Sequence, residues 1–293
     1  MIYIVFFLFV VSLVAVIMLY PTSPKPQTTE TPEKLYTPIT QHLIPIEWHT
    51  KEQDIDIVAI GMEKRYESHF LPLKKVLSHY GYDCQWFKGI NGKRLDYNTL
   101  PLTDRYKHFF VKNEKDRQKD KDAKDFRGHL GCTLSHLSVI HNMKKPTIIL
   151  EDDVDIQLHL DKQLPKTVEA LHDLDPEWDI LLLGWCCLYT DSAHCVKHDR
   201  EAIRKGGLVK MHYWIGGWAY MIRSVEVAQK IIKHFSPIFS HIDLGLADLV
   251  EEGKLNVYGC IPTLINHPGN MRLSSFDYTQ RGDIQRLRSD TNH

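Results

Sequence analysis

The residues best equipped for chemistry lie in Pro146–Ile156, read PTIILEDDVDI. The apolar run Ile148-Ile149-Leu150 gives way to Glu151, Asp152 and Asp153, and Asp155 follows after Val154. The apolar part is short and mostly β-branched, which predicts a buried strand. An unpaired carboxylate is costly to bury, so the acids mark the point where that strand surfaces. In open α/β sheets this carboxyl end is where ligands bind. Crowded carboxylates repel one another unless a cation stands between them, and hard oxygen ligands suit Mg²⁺ or Mn²⁺. Two readings follow: a divalent metal held at a strand end and poised to carry phosphates, or an acidic turn in solvent. On the first, Asp153 leads as direct ligand, Glu151 or Asp152 comes next, and Asp155 is peripheral.

The elements around this stretch have to position it. Ile55–Ile60 reads as a strand closed by Gly61. Glu63–Tyr80 suits a helix, because Leu73, Val76, Leu77 and Tyr80 recur at three and four. Asp83–Lys88 is a second strand, and strand–helix–strand argues for a mainly parallel α/β sheet. Lys112–Asp125 is nearly all charge and predicts a solvated loop or an exposed helix. A buried helix from Gly131 carries Leu134, Leu137, Val139, Ile140 and Met143 and feeds the acid-tipped strand. Leu164–Leu174 is a helix, Trp178–Gly184 a buried strand, and Leu208–His212 a short strand. Ile215–Met221 sets two glycines beside aromatics. Ser224 caps a helix to Phe235, His241–Val250 is helical, Val257–Ile261 is a late strand, and Pro262–His293 is a polar tail.

The composition narrows the function. Of 293 residues, 43% are hydrophobic and 25% charged, a globular balance. Lys and Arg number 36 against 37 Asp and Glu, so a general nucleic-acid binder, which needs a basic surface, is not expected. No GxxxxGK[ST] phosphate loop is present, which argues against a nucleotide-hydrolysing or phosphate-transferring enzyme of that kind. The six cysteines include no CxxC pair, so no zinc knuckle is expected; disulfides and buried thiols both remain open.

Met1–Tyr20 is apolar apart from Ser12 and would reach about 30 Å as a helix, enough to cross a bilayer. It is expected to be an uncleaved transmembrane anchor. Pro21–Gln53, with six prolines up to Pro45, is expected to be an extended stem, and Asp54–His293 the folded domain. A single-pass type II membrane protein follows, with its domain in the endoplasmic reticulum or Golgi lumen.

The chain resembles glycosyltransferase family 25, which includes lipooligosaccharide galactosyltransferases and the collagen galactosyltransferase domains. The likeness spans about Asp54 to Asp277 and rests on landmarks in order: IVAIGMEKR, FKGING, GHLGCTLSH, ILEDDV, WDILLLG, HYWIGGWAYMI and SVEVAQKI. GCxxSH followed at this spacing by LEDDV is the specific part. The chain departs from the family pattern at His129, where a Glu is usual, at Ile60-Gly61, and in the looser HYWIGGWAYMI. The resemblance implies a single GT-A-like domain with a mostly parallel central sheet. It implies transfer of galactose or glucose from a UDP-sugar, with inversion, to a glycan or hydroxylysine acceptor, with Mn²⁺ (or Mg²⁺) as cofactor. On that basis Glu151, Asp153 and His267 are expected at the metal. Arg65, Ser135, His136, Glu151, Asp152 and Arg272 are expected at the donor. Asp243 is the candidate catalytic base, or else an acid satisfying backbone N–H groups at a helix start. Trp214, Trp218 and Tyr220 present sugar-stacking faces or are core. The alternative to an enzyme is a carbohydrate-binding or scaffolding protein of the same fold, which His129 keeps open.

Overall fold

The computed structural model describes residues 39–46, 54–120, 125–186 and 207–267, all within one compact unit spanning Tyr36–His293. Strand β1 (Asp56–Gly61) is buried along its whole length. The helix expected after it comes in three pieces: a 3-10 turn at Glu63–Arg65, a wide π turn at Tyr66–Phe70, and α1 (Leu71–His79). In α1 the predicted stripe Leu73, Val76 and Leu77 is buried. Strand β2 (Gln85–Lys88) then lies parallel to β1.

Most of the charged run belongs to α2 (Asp104–Lys119), which buries only Tyr106 and Phe110. Its start is capped by Thr103, whose hydroxyl accepts from the Tyr106 N–H at 3.3 Å. Helix α3 (Arg127–Asn142) is the central helix, buried continuously from Thr133 to Ile140. Four of those buried residues are polar, so each must find partners inside. The Ser135 and Ser138 hydroxyls donate to the carbonyls of Gly131 and Leu134 (2.7 Å each) and accept from the Ile90 and Ile44 N–H groups at 2.8 and 3.0 Å. They pin surrounding chain onto the helix.

Strand β3 (Thr147–Glu151) is buried until Glu151, where it surfaces as expected. Then come β4 (Asp155–Ile156), α4 (Leu160–Leu174), β5 (Ile180–Cys186), β6 (Gly207–Lys210) and β7 (Ile215–Ile222). The chain continues with α5 (Val225–His234), α6 (Ile242–Glu251), β8 (Val257–Ile261) and β9 (Ile265–Asn266). Ser224 caps α5 as expected, accepting from the Val227 N–H.

The seven strands run in the order β2-β1-β3-β7-β5-β8-β6, and β4 pairs separately with β9. The sheet is mixed, which corrects the mostly parallel expectation. The pairs β1–β2, β1–β3 and β5–β8 are parallel, whereas β3–β7, β5–β7 and β6–β8 are antiparallel. The βαβ pattern holds in the first half; the return through β6 places β7 reversed between β3 and β5. Alternation along each strand separates two cores. In β3, Ile149 packs with the α3, α5 and α6 side, and Ile148 and Leu150 pack with the α1 and α4 side. Helices thus cover both faces of one sheet.

The expected transmembrane helix is also corrected: no helix among the described residues is long and apolar enough to cross a membrane. Met1–Tyr20, on which that expectation and the membrane, signal-anchor and type II endoplasmic reticulum or Golgi assignments rested, lies outside the described residues. Within the expected stem, Ile39 (1% exposed) and Leu43 join the main core, so packed structure includes residues before Asp54. Cys84, Cys132, Cys186 and Cys260 are free thiols; Cys187 and Cys195 lie outside the described residues.

Candidate active site

The acids at the end of β3 are held by contacts from three directions. The Asp152 N–H donates to the Ile60 carbonyl at 3.0 Å, which ties the turn to the end of β1. The Asp152 side chain is 3% exposed and occupies the space that a side chain at Gly61 would need: a Cβ there would stand 2.1 Å from Asp152 Oδ2. Arg65, delivered by the 3-10 turn after β1, reaches Asp152 Oδ1 at 3.2 Å and Asp153 Oδ2 at 2.8 Å. His267 Nε2 approaches Asp153 Oδ1 at 3.4 Å. The reason lies in β9, which pairs with β4 (Asp155 opposite Asn266, Ile156 opposite Ile265) and folds the start of the polar tail back onto the acids.

The carboxylates therefore differ in electrostatics. The His267 contact, supported by Arg65, holds Asp153 well below the usual carboxylate range and raises His267 in return. Burial raises Asp152 despite Arg65. Burial, with Asp153 alongside, pushes Glu151 up to about 7. Glu151, Asp153 and His267 offer ligand atoms all within 4.8 Å of one another. Among the described residues Asp152 Oδ2 is a buried oxygen without a hydrogen bond, and Asp153 Oδ1 has only the 3.4 Å approach of His267; a buried acceptor left unmatched is unfavourable. Two carboxylates and an imidazole are a donor set that Mn²⁺ accepts. A divalent cation fits this corner by charge and by ligand type.

The corner opens into a cleft of about 400 Å³ lined by Glu151 and His267 together with residues of α3, β7 and α6. Asp243 lines it from the first turn of α6. Its Oδ2 accepts from the Gly216 N–H and its Oδ1 from the Leu244 N–H, both at 2.9 Å. Asp243 thus binds backbone N–H groups, as one of its two readings required, and faces the cleft, as the other required. Thr133 on α3 orients this helix by accepting the Ile242 N–H at 3.1 Å.

Glycine couples two of the sequence landmarks. A Cβ at Gly131 in GHLGCTLSH would meet the Ile90 carbonyl at 2.4 Å and the Gly92 nitrogen at 2.5 Å, both in FKGING. The two motifs touch backbone to backbone, which places α3 against the β2 loop.

The structure thus brings Arg65, Glu151, Asp152, Asp153 and His267 together, and Asp243 lines the cleft that Glu151 and His267 line. Ser135 is not exposed to it: the hydroxyl is fully used in fastening Ile90 to α3. His136 is wholly buried behind Glu151, with Nδ1 against the Tyr220 hydroxyl at 2.8 Å and Nε2 4.0 Å from Glu151 Oε1. Burial lowers it to about 4, so it is neutral. Trp214 and Tyr220 are core residues at 0% and 1% exposure; Trp218, at 5%, touches the cleft and lies 5.7 Å from the His267 ring. Arg272 lies outside the described residues. Asp179 is structural, accepting from Lys230 Nζ at 2.9 Å and the Asn256 N–H at 2.8 Å.

Sequence reasoning missed Cys132, Cys186 and His241 in the cleft wall. The His241 ring lies 4.4 Å from that of His129, the position where the family pattern has Glu, and is tilted to it by 53°; its Nδ1 meets the Tyr106 hydroxyl at 2.6 Å. The spacing of Cys132 and His136, four apart on a helix, was the available signal for the first of these.

A family model described as glycosyltransferase family 25 (LPS biosynthesis protein) matches residues 62–245. Procollagen galactosyltransferase 2 of Homo sapiens is 30% identical over 111 residues, and that of Mus musculus 30% over 113. Each match takes in 36% of this chain and only 17% of the relative, so the chain spans a small part of those proteins. Among solved structures, a glycosyltransferase involved in the glycosylation of the major capsid of PBCV-1 aligns over 74% of this chain and 94% of its own. The identity is 10% and the TM-score 0.36. A UTP-bound UGPase from Acinetobacter baumannii covers 82% of this chain and 94% of its own at 9% identity and a TM-score of 0.37.

Proposed function

This chain belongs to glycosyltransferase family 25, with the metal-associated, glycosyltransferase-like activity that this implies, and from that premise we propose that it moves a hexose, galactose or glucose, from a UDP-sugar onto a hydroxyl of a glycan or hydroxylysine acceptor, with inversion. The observation that carries the reading is the meeting of Glu151, Asp153 and His267 at the mouth of β3, beside a cleft that Glu151, His267 and Asp243 all line.

Glu151, Asp153 and His267 would hold Mn²⁺ or Mg²⁺, which when bound stabilises the negative charge that develops on the departing diphosphate. Asp152, buried and kept in place by the chain turn, holds Arg65 in position beside Asp153. Arg65 contacts Asp152 and Asp153 and offers its remaining donors to phosphate oxygens. Inversion requires the acceptor oxygen to attack from the face opposite the leaving group, and Asp243 takes its proton. The backbone N–H groups of Gly216 and Leu244 fix that carboxylate in direction. Ser135 and His136 support from behind: one anchors the FKGING loop, the other stands behind Glu151.

The test is release and transfer of hexose from UDP-galactose and UDP-glucose, with Mn²⁺ and with chelator, read by mass on glycan and hydroxylysine-peptide acceptors. Asp153→Asn is expected to abolish Mn²⁺-dependent turnover, and Asp243→Asn to lower turnover by about 10²–10⁴ with donor binding kept. Donor binding with no sugar release from any wild-type combination would sink the proposal and leave a sugar-binding protein.

A further inference from the structure

Glu151 belongs to a second set of ligands that the transfer reaction does not use. Cys132 and His136 sit one turn apart on the same face of α3 and point toward the end of β3. Cys132 Sγ, His136 Nε2 and a Glu151 oxygen all lie within 4.8 Å of one another. His136 Nε2 is 4.0 Å from Glu151 Oε1. A tetrahedral site with nitrogen and oxygen ligands at about 2.0–2.2 Å has an edge of about 3.3–3.5 Å between them, so closure needs a contraction of about 0.5–0.7 Å on this edge.

The second observation is the state of His136. The ring is 0% exposed, yet Nε2, the nitrogen aimed into the cluster, has no hydrogen-bond partner among the described residues. The other nitrogen, Nδ1, is engaged by the Tyr220 hydroxyl at 2.8 Å. An imidazole oriented through one nitrogen, with the other turned toward a thiol and a carboxylate, is arranged as metal-ligating histidines are. A buried ring nitrogen that finds no partner among the described side chains and backbone around it is otherwise costly to keep.

We propose that Cys132, His136 and Glu151 form a site for a borderline-soft divalent cation of the Zn²⁺ class, separate from the Glu151–Asp153–His267 set and sharing Glu151 with it. The ligand chemistry separates the two. Sulfur and imidazole favour Zn²⁺ or Co²⁺, whereas the Asp153 side offers the harder donors that Mn²⁺ and Mg²⁺ take. Three protein ligands leave a fourth position for another donor, and Cys132 and Glu151 both line the cleft. Binding replaces the Cys132 thiol proton by the metal, and the proton leaves to solvent, one for each cation bound. A cation seated there turns Glu151 toward α3 and away from Asp153, so Zn²⁺ and Mn²⁺ compete through one carboxylate. None of this depends on hexose transfer, and the test needs only metal.

The experiment uses the full chain, free of any affinity tag, stripped of metal and titrated with Co²⁺. The expected result is a sulfur-to-cobalt charge-transfer band that saturates at one equivalent. The band is lost in Cys132→Ser and retained in Asp153→Asn, while Cys132→Ser still binds Mn²⁺ by electron paramagnetic resonance. No band in the wild type, a band that survives Cys132→Ser, or a band lost in Asp153→Asn overturns the proposal. A second measurement needs no variant: one equivalent of Zn²⁺ is expected to protect Cys132 from alkylation, read by peptide mass. Equal labelling with and without Zn²⁺ overturns it as well.

Discussion

Gly61→Ala adds a single methyl group at the end of β1, and its consequence can be worked from the packing. The new Cβ would stand 2.1 Å from Asp152 Oδ2, 2.5 Å from its Cγ and 2.4 Å from the Trp86 ring. Ordinary contact begins at about 3.4 Å, so Asp152 has to retreat by about 1.3 Å. Neither neighbour yields freely. Trp86 is locked in a cluster with Tyr66 and Phe70, ring centroids 5.4 and 5.0 Å away, and Asp152 is buried with its N–H on the Ile60 carbonyl. Overpacking of this kind costs about 2–3 kcal/mol, or roughly 4–10 °C of melting temperature for a chain of this size. A displacement above 1 Å also exceeds the roughly 0.5 Å within which a binding constellation must be held. The Arg65–Asp152 contact at 3.2 Å is lost with it, so Mn²⁺ affinity is expected to fall about 10–100-fold, as when a ligand's supporting partner is removed. Thermal unfolding and Mn²⁺ titration by electron paramagnetic resonance measure both effects. Gly128→Ala is the stability control, since its Cβ would meet nothing within 4 Å. A Gly61→Ala protein that melts with the wild type and binds Mn²⁺ equally well would show that Asp152 is not confined as argued.

Other outcomes follow from the same contacts. Gly131→Ala drives a Cβ into the backbone of Ile90 and Gly92, which cannot move aside as a side chain can, and is expected to cost more than about 3 kcal/mol in urea unfolding. Asp125 accepts from Arg127 Nε at 3.0 Å and Nη2 at 2.8 Å, and this hydrogen bonding, opposed by burial, holds it at about 2 against an ordinary 3.8. A carboxylate lowered on folding stabilises above its unfolded value, so about 2 kcal/mol is present above pH 4 and is lost as pH falls toward 2. The comparison of Asp125→Asn with wild type in unfolding at pH 6 and pH 3 checks this: the gap between them should shrink at the lower pH. Ser224→Ala removes the cap of α5 and should cost about 1 kcal/mol of stability with Mn²⁺ binding unchanged.

Much of the frame was legible in the chain itself. A β-branched run that stops at acids can only be a strand reaching the surface, and β3 ends at Glu151 as read. The stripe in α1, the Ser224 cap and the strand at Val257–Ile261 follow equally from local periodicity and capping, which act between neighbours in sequence. The mixed sheet was not legible, because alternation gives a strand its faces and not its direction.

The acidic cluster, the family landmarks and the candidate residues of the cleft were determined by sequence alone. Tertiary structure decided which of them meet. His267 reaches Asp153 only because β9 pairs with β4, and Arg65 reaches two acids only because a 3-10 turn breaks the first helix. Ser135 turned out to serve the backbone, and Cys132 came into the site beside His136. The reason is the same in each case: long-range pairing and burial set where a side chain points, and residue spacing along the chain carries no record of either.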